Sequence, residues 1–519
     1  MNNYIKQISF NSVVPPSTAS HLLAFRQLKS YILHKGMKNH IKFYMNLYGT
    51  NTPDPQIITQ ILGQSINIAA FSSYVWNMPK LIEICNSIKK EKPEILIVLG
   101  GPYASFMADT LISNSGIDLI IKGSGEETFY RVVKKIAEDS QNWYDIPNVV
   151  YKEGSKIITT PIHYDFDVSK QLYDLCVEDG DSSYFWYETS RGCPFKCRYC
   201  SWNSEQKRQI KYYPYEKIEK DLKAIFNLKY VKHLEFCDSD IFLKKNHGIQ
   251  ILQYIHQFNE ERRKRNWPEI NIYFETNPEF IDEEAIHEIS KLPVGQTTIS
   301  CGLQTINEHV NNYHLNRNFH KDKYIHNLKR LCEGVKQNVS IEIIYGLPGD
   351  TYESFKQTVN FLVSEIKFKR FVSAHFLVLP GSYFWDHYED FNLIFSKKSP
   401  HRLISSNTFS EEEISKAKRL TFFMYLFNTI LFGIKRAVTR QAKSDYMTVY
   451  DKIINHIELN YPQFISELYC FYEKNEDIET ILKLLQYTAN KNLINLRYDI
   501  INEARQIIKN YLLKQETTI

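Results

Sequence analysis

Cys193, Cys197 and Cys200 stand in the stretch "RGCPFKCRYCSW", residues 191–202, as a C-x3-C-x2-C array. The other six cysteines, Cys85, Cys176, Cys237, Cys301, Cys332 and Cys470, are scattered along the 519 residues, which is not the pattern of a disulfide framework. Three thiolates so close together point to metal. A structural zinc is closed by four ligands, usually in two pairs, and no second pair occurs in this chain. A lone C-x2-C redox motif leaves Cys193 unexplained. Three thiolates on one loop fit three irons of a 4Fe-4S cluster, with the fourth iron open to a substrate or cofactor. An open position is the mark of a catalytic metal. Zinc remains the alternative at this point.

A reactive loop has to hang from rigid elements, and the flanking sequence supplies them. Strands are read at 184–189, 231–237, 271–276, 297–303, 340–345 and 371–377, with helices near 215–227, 246–261, 282–291, 323–335 and 352–366 between them. In the first helix, Ile218, Leu222 and Ile225 follow the spacing of a buried stripe. Six such repeats predict a partial (β/α)6 TIM-like barrel with its active site at the carboxyl ends of the strands.

Upstream, from about 40 to 140, continuous apolar runs ("SINIAAFSSY", "EILIVLGG", "IDLIIKG") alternate with amphipathic helices, one of them at 79–90. That pattern predicts a doubly wound, Rossmann-like parallel sheet covered on both faces, with ligands where the strands end. Each run leads into a special loop: "FSSYVWN" at 71–77, "GGP" at 100–102 and "GSGEE" at 123–127. Small residues there let the backbone approach a ligand, although Gly100 and Gly101 alone would also serve simply to turn the chain. Residues 141–182 read as a hairpin and an irregular linker. Beyond about 400 the pattern is all helical, opening with a capping box of Ser410 and Glu413 and continuing through 477–496. The expected division is therefore 1–140, a linker 141–182, a barrel 183–390 and a helical region 391–519.

Composition narrows the setting. The net charge is +4, from 63 basic and 59 acidic side chains, and there is no basic stripe to suggest a nucleic-acid partner. The opening residues lack the basic and apolar regions of a signal peptide, and the most apolar run, 420–434, is shorter than the roughly 20 residues of a membrane span. No membrane span and a cytoplasmic location are expected.

The cysteine array, with Tyr199 just before its third cysteine and a strand just before the loop, resembles the radical S-adenosylmethionine superfamily. The stretches "FSSYVWN", "VLGGPYA" and "LIIKGSGEETF" upstream, and "GLQTINEHVNNYHLNR", "IEIIYGLPGDTYESF" and "FLVLPG" downstream, are similar to the subfamily with an N-terminal cobalamin-binding domain. The resemblance implies that Cys193, Cys197 and Cys200 ligate a 4Fe-4S cluster. Its open iron would chelate S-adenosylmethionine, which a single electron cleaves to a 5′-deoxyadenosyl radical. It places Asp238 near the methionine amino group, in "EFCD" where relatives often carry "GGE". It places Glu275 at the third strand end, Gln304 near the ribose, and Ile343, Gly346 and Leu347 near the adenine. For cobalamin it implies contacts from Ser72, Ser73, Tyr74, Trp76, Asn77, Gly100, Gly101, Pro102, Tyr103, Gly123, Gly125 and Glu126. The D-x-H-x-x-G signature of histidine-ligated cobalamin does not occur in residues 1–140, so the lower axial face would be free of histidine. Cys237 and Cys301 fall near strand ends, with core packing as their expected role.

The activity this implies is methylation of an unactivated carbon in a small-molecule or peptide substrate, with electrons from an external donor such as a flavodoxin or ferredoxin. The alternative is a radical enzyme of the same fold that does not methylate, such as a dehydratase, epimerase or cyclase. Methylthiolation of transfer RNA would need a second three-cysteine cluster upstream, where only Cys85 and Cys176 occur.

Overall fold

The computed structural model describes residues 5–15, 22–163, 166–177, 183–202, 209–366, 368, 370–428, 431, 434, 437–438, 446–475 and 491–516. Its first layer is a seven-stranded sheet in the order β2-β1-β3-β4-β5-β6-β7. The strands are β1 (Lys6–Val14), β2 (Ile41–Gly49), β3 (Ile68–Ser72), β4 (Leu96–Gly100), β5 (Leu119–Ile121), β6 (Val149–Glu153) and β7 (Lys156–Thr159). The first five run parallel; β6 and β7 form a hairpin that adds antiparallel to β5, so part of the expected linker belongs to this sheet. β3 and β4 are buried along almost their whole length, because α1 (Leu23–His34) lies over one face and α2 (Asp54–Leu62) and α3 (Met78–Glu91) over the other.

β1 was not legible as a strand, and the reason is chemical. It carries Ser9, Asn11 and Ser12 in the interior where a buried strand usually shows aliphatic residues. Ser9 and Asn11 are satisfied by side chains of the same region: Asn46 Nδ2 donates to Ser9 Oγ and to Asn11 Oδ1, each at 2.9 Å, and Ser9 Oγ donates to Gln64 Oε1 at 2.8 Å.

The second layer is a six-stranded, wholly parallel sheet in the order β15-β14-β13-β12-β11-β8. It comprises β8 (Tyr184–Tyr187), β11 (His233–Phe236), β12 (Asn271–Glu275), β13 (Thr298–Gln304), β14 (Asn338–Tyr345) and β15 (Arg370–His375). Two short strands, β9 (Ser190–Gly192) and β10 (Ile210–Tyr212), pair with each other just after β8. The intervening helices at Tyr215–Phe226, Lys245–Lys264, Glu283–Ser290, Lys321–Gly334 and Tyr352–Glu365 match the expected repeats. β8 and β15 do not pair, so the barrel is open, and α1 covers part of the β8 edge with the Arg26 guanidinium 4.1 Å above the Phe185 ring.

The C-terminal helix Glu411–Asn428 shares one continuous core with the barrel. Ser373 N of β15 donates to Tyr425 Oη at 2.7 Å, and the Ser373 and Thr421 hydroxyls lie 3.0 Å apart. The expected helix through 477–490 lies outside the described residues. Among the described residues, no helix is long and apolar enough to cross a membrane.

Candidate active site

The cysteine loop springs from Gly192 at the end of β9, where a φ of +103° turns the chain in a way that suits glycine. Cys193, Cys197 and Cys200 are all half-buried. Their loop is held from several sides. Cys200 N donates to Cys197 O at 3.2 Å, Arg198 N to Leu315 O at 2.9 Å, Asn316 Nδ2 to Lys196 O at 3.2 Å and Ser239 Oγ to Gly192 O at 3.0 Å. Burial pushes the Cys193 thiol up and the Cys200 thiol up to about 12, so metal binding would have to displace those protons. Among the described residues no three His, Cys, Asp or Glu side chains converge as ligands of one ion. A cluster makes no such demand, since its thiolates bind separate irons; three accessible thiols on one anchored loop suit that donor set.

Two residues without an assigned role stand beside this loop. Arg317, at the end of "HLNR", donates to Gly302 O at 2.7 Å, Leu303 O at 2.8 Å and Asn311 Oδ1 at 3.1 Å, and its charge lies beside Tyr199 and Cys197. Arg191, two residues before Cys193, pairs with Glu188 at 2.6 Å and with Glu126 of the first domain at 2.8 Å. Their signal in the sequence was position alone, next to the array or inside a motif.

The strand ends divide the expected S-adenosylmethionine contacts into two groups. Glu275, at the end of β12, is reached by solvent yet lies among many protein atoms; the desolvation they cause, then the Glu342 and Glu235 carboxylates, raise it to about 8. Gln304 ends β13 at a bulge with φ +66°, and its amide folds back so closely that a Cβ on Gly302 would lie 2.7 Å from its Nε2. These two face the mouth of the barrel. Asp238 does not: it is 3% exposed and accepts from Thr189 N at 3.0 Å, Thr189 Oγ1 at 2.7 Å and Ser190 Oγ at 2.5 Å. It clamps the strand end that carries the cysteines, instead of standing free for an amino group. Ile343 and Leu347 are fully buried in the core, with Ile343 alternating against the more open Glu342 and Ile344. Gly346, at φ +82°, presents its missing Cβ to Ile414 and Leu403.

The first-domain loops divide similarly. Ser73 and Asn77 shape their own loop: Ser73 Oγ donates to Gly100 O at 2.7 Å, and Asn77 Nδ2 to Val13 O and Ser72 O at 3.0 Å each. Ser72, itself buried, supports the Tyr74 hydroxyl, and Pro102 opens a short helix, Pro102–Phe106, after Gly101. Gly101, at φ +99°, packs its backbone on Ser73, and the Tyr103 hydroxyl lies 3.0 Å from His401 Nε2. Gly125 packs near Leu28, Gly123 turns the chain at φ +68° with its N–H on Ser105 Oγ, and Glu126 is turned to Arg191. What stays open is an aromatic step and a bare patch of backbone. Trp76 is 40% exposed and stacks on Tyr74 at 4.4 Å, while a Cβ on Gly100 would meet nothing within 4 Å. A large flat ring system fits such a surface. Tyr74 also lies within electrostatic reach of the Cys237 thiol, half-buried just beyond β11, which brings this loop of the first domain close to the end of that barrel strand. Cys301 is fully enclosed in the core.

Comparison with known proteins agrees with this arrangement. Residues 187–362 match the Radical SAM superfamily and residues 21–133 match the B12 binding domain. The chain is 25% identical over 319 residues to the cobalamin-dependent radical SAM methyltransferase TokK of Streptomyces tokunonensis, covering 57% of this chain and 45% of that protein. It is 24% identical over 338 residues to the 2-(S-pantetheinyl)-carbapenam-3-carboxylate methyltransferase of Streptantibioticus cattleyicolor, covering 61% and 47%. The chain thus spans about half the length of these curated relatives. Its fold is similar to that of the cobalamin-dependent S-adenosylmethionine radical enzyme OxsB, solved with aqua-cobalamin and S-adenosylmethionine bound, at a TM-score of 0.61 and 16% identity over 99% of this chain and 81% of that one. The chain carries a radical SAM domain at residues 187–362 and, ahead of it, a B12-binding domain at residues 21–133.

Proposed function

We propose that this protein is a cobalamin-dependent radical enzyme that methylates an unactivated carbon of a small-molecule or peptide substrate, working in the cytoplasm with electrons from an external flavodoxin- or ferredoxin-like donor. The observation that carries the reading is proximity at the strand ends: Glu275 lies within electrostatic reach of Cys200 and of Cys237, and Cys237 within reach of Tyr74, which stacks on Trp76. When bound, the cluster with S-adenosylmethionine supplies hydrogen-atom abstraction, and cobalamin supplies a methyl group.

The chain's own residues then hold and orient. Cys193, Cys197 and Cys200 hold the cluster, and Arg317, tied to two carbonyls of β13, keeps Tyr199 and the loop in register. Glu275, rather than Asp238, meets the cationic amino group of S-adenosylmethionine; an ammonium beside it would return this carboxyl to its charged form. Gln304 presents its amide at the β13 bulge. Trp76, Tyr74 and the bare Gly100 backbone offer the corrin an apolar face and exclude water from it.

Anaerobic reconstitution with iron and cobalt counted per chain tests this reading. Four irons and one cobalt are expected, with Cys197→Ala losing the irons and all cleavage of S-adenosylmethionine. Four irons without cobalt would leave a radical enzyme that does not methylate.

A further inference from the structure

A dense polar cluster between the two domains has no place in the chemistry above. Arg191 Nη2 reaches Glu188 Oε1 at 2.6 Å, Glu126 Oε1 at 2.8 Å, Gln27 Oε1 at 2.8 Å and the Tyr213 hydroxyl at 3.1 Å. Glu188 Oε1 in turn also accepts from Gln27 Nε2 at 2.8 Å and from Tyr213 Oη at 2.7 Å. Arg191 Nη1 lies 3.5 Å from Ser124 Oγ. The Arg191, Glu126 and Glu188 side chains are only 16%, 4% and 13% exposed. Gln27 belongs to α1, Ser124 and Glu126 to the "GSGEE" loop after β5, and Glu188, Arg191 and Tyr213 to the segment that carries the cysteines.

One guanidinium therefore joins a loop expected at the methyl-carrying cofactor to the residue two positions before the first cluster cysteine. Its fork fixes direction as well as distance, which an ammonium on a flexible stem would not do. Withdrawing the single guanidinium would leave two carboxylates facing each other in a nearly dry site, so the cluster depends on Arg191. Other described cross-domain ties, among them Arg26 over Phe185, Tyr103 with His401 and Ser399 with Val75, do not involve the cysteine loop.

We infer that Arg191 is a positioning residue, and that its bridge from Glu126 to Glu188 sets the spacing between the cobalamin-bearing loop and the cluster-bearing loop. This rests on the function proposed above. The spacing is measurable without any substrate, from the magnetic dipolar interaction between cob(II)alamin and the reduced cluster, read by pulsed electron paramagnetic resonance on the reconstituted full chain.

The wild type is expected to give one narrow distance distribution. Glu126→Gln and Arg191→Lys, loaded with the same iron and cobalt, are expected to widen it at least twofold. Gln27→Ala removes one bond from the guanidinium and one to Glu188 but keeps both ion pairs, and is expected to widen it less. A merely structural role would lower the folded fraction and leave the distribution of the folded molecules unchanged. Fully loaded variants with the wild-type distribution would overturn the inference and leave the proposed function standing. A wild type that takes up no cobalt would sink both.

Discussion

At the residue scale, the lumen below the reactive mouth collects acid with little cation to match. Glu235 of β11 receives a hydrogen bond from Tyr184 and feels the charge of Arg370, yet burial outweighs both and raises it to about 7. A carboxyl whose pKa is raised on folding stabilises the protein in its protonated form, and that contribution is lost as pH rises through 7. The unloaded protein is therefore expected to melt at lower temperature at pH 8 than at pH 5. Glu235→Gln should remove its share of that slope, on the order of 2 kcal/mol or roughly 3–5 °C. Melting curves of both proteins from pH 5 to 8 check this; a variant with the wild-type slope would place the titrating group elsewhere. Position in the sequence told little about such matters. Resemblance placed Asp238 of "EFCD" near the methionine amino group, and the structure holds that side chain against Thr189 and Ser190. Periodicity marks Ile343 and Glu342 as neighbours without saying which one faces the lumen.

At the element scale, what could be read ahead was whatever advertises itself by apolar runs. β3, β4 and the six barrel strands alternate with helices in the way that buried parallel sheets require, and their bounds fell within a few residues of expectation. β1 escaped because its interior is polar; β6 and β7 read as a hairpin, but nothing local says which sheet a hairpin will join. The two glycines after β4 show how differently adjacent residues of one motif are constrained. A Cβ on Gly101 would stand 2.6 Å from Ser73 O and 3.0 Å from Ser73 N, on a backbone at φ +99°. Those neighbours are main chain and cannot rotate away, so Gly101→Ala should cost a few kcal/mol and collapse the loop pair. Gly100 faces open space, so Gly100→Ala should keep the fold and the irons while weakening cobalamin uptake about tenfold or more. Titration of both variants with hydroxocobalamin, beside their melting temperatures, separates the roles; equal losses of stability would refute this account of Gly100.

At the scale of the whole molecule, the C-terminal region is part of the barrel. Helix Glu411–Asn428 lies in the same buried cluster as β14 and β15, whereas the first sheet has two clusters of its own. Sequence left open whether this helical region caps the mouth or finishes the core, because an amphipathic helix does not name its partner. The structure resolves it at Ile414, 7% exposed, whose Cδ1 would stand 2.8 Å from a Cβ on Gly346. The side chain occupies the space that the glycine leaves, on the loop following β14. Ile414→Ala should therefore open a cavity against the barrel and cost about 2–5 kcal/mol. Because that core is continuous, the loss should appear as earlier cooperative melting of the barrel together with its helices, leaving the first domain's transition in place. Calorimetry of the variant, with hydrogen exchange followed in β3 and β14, distinguishes the two. Early exchange confined to Glu411–Asn428, with β14 still protected, would mean that the helix is a detachable cover after all.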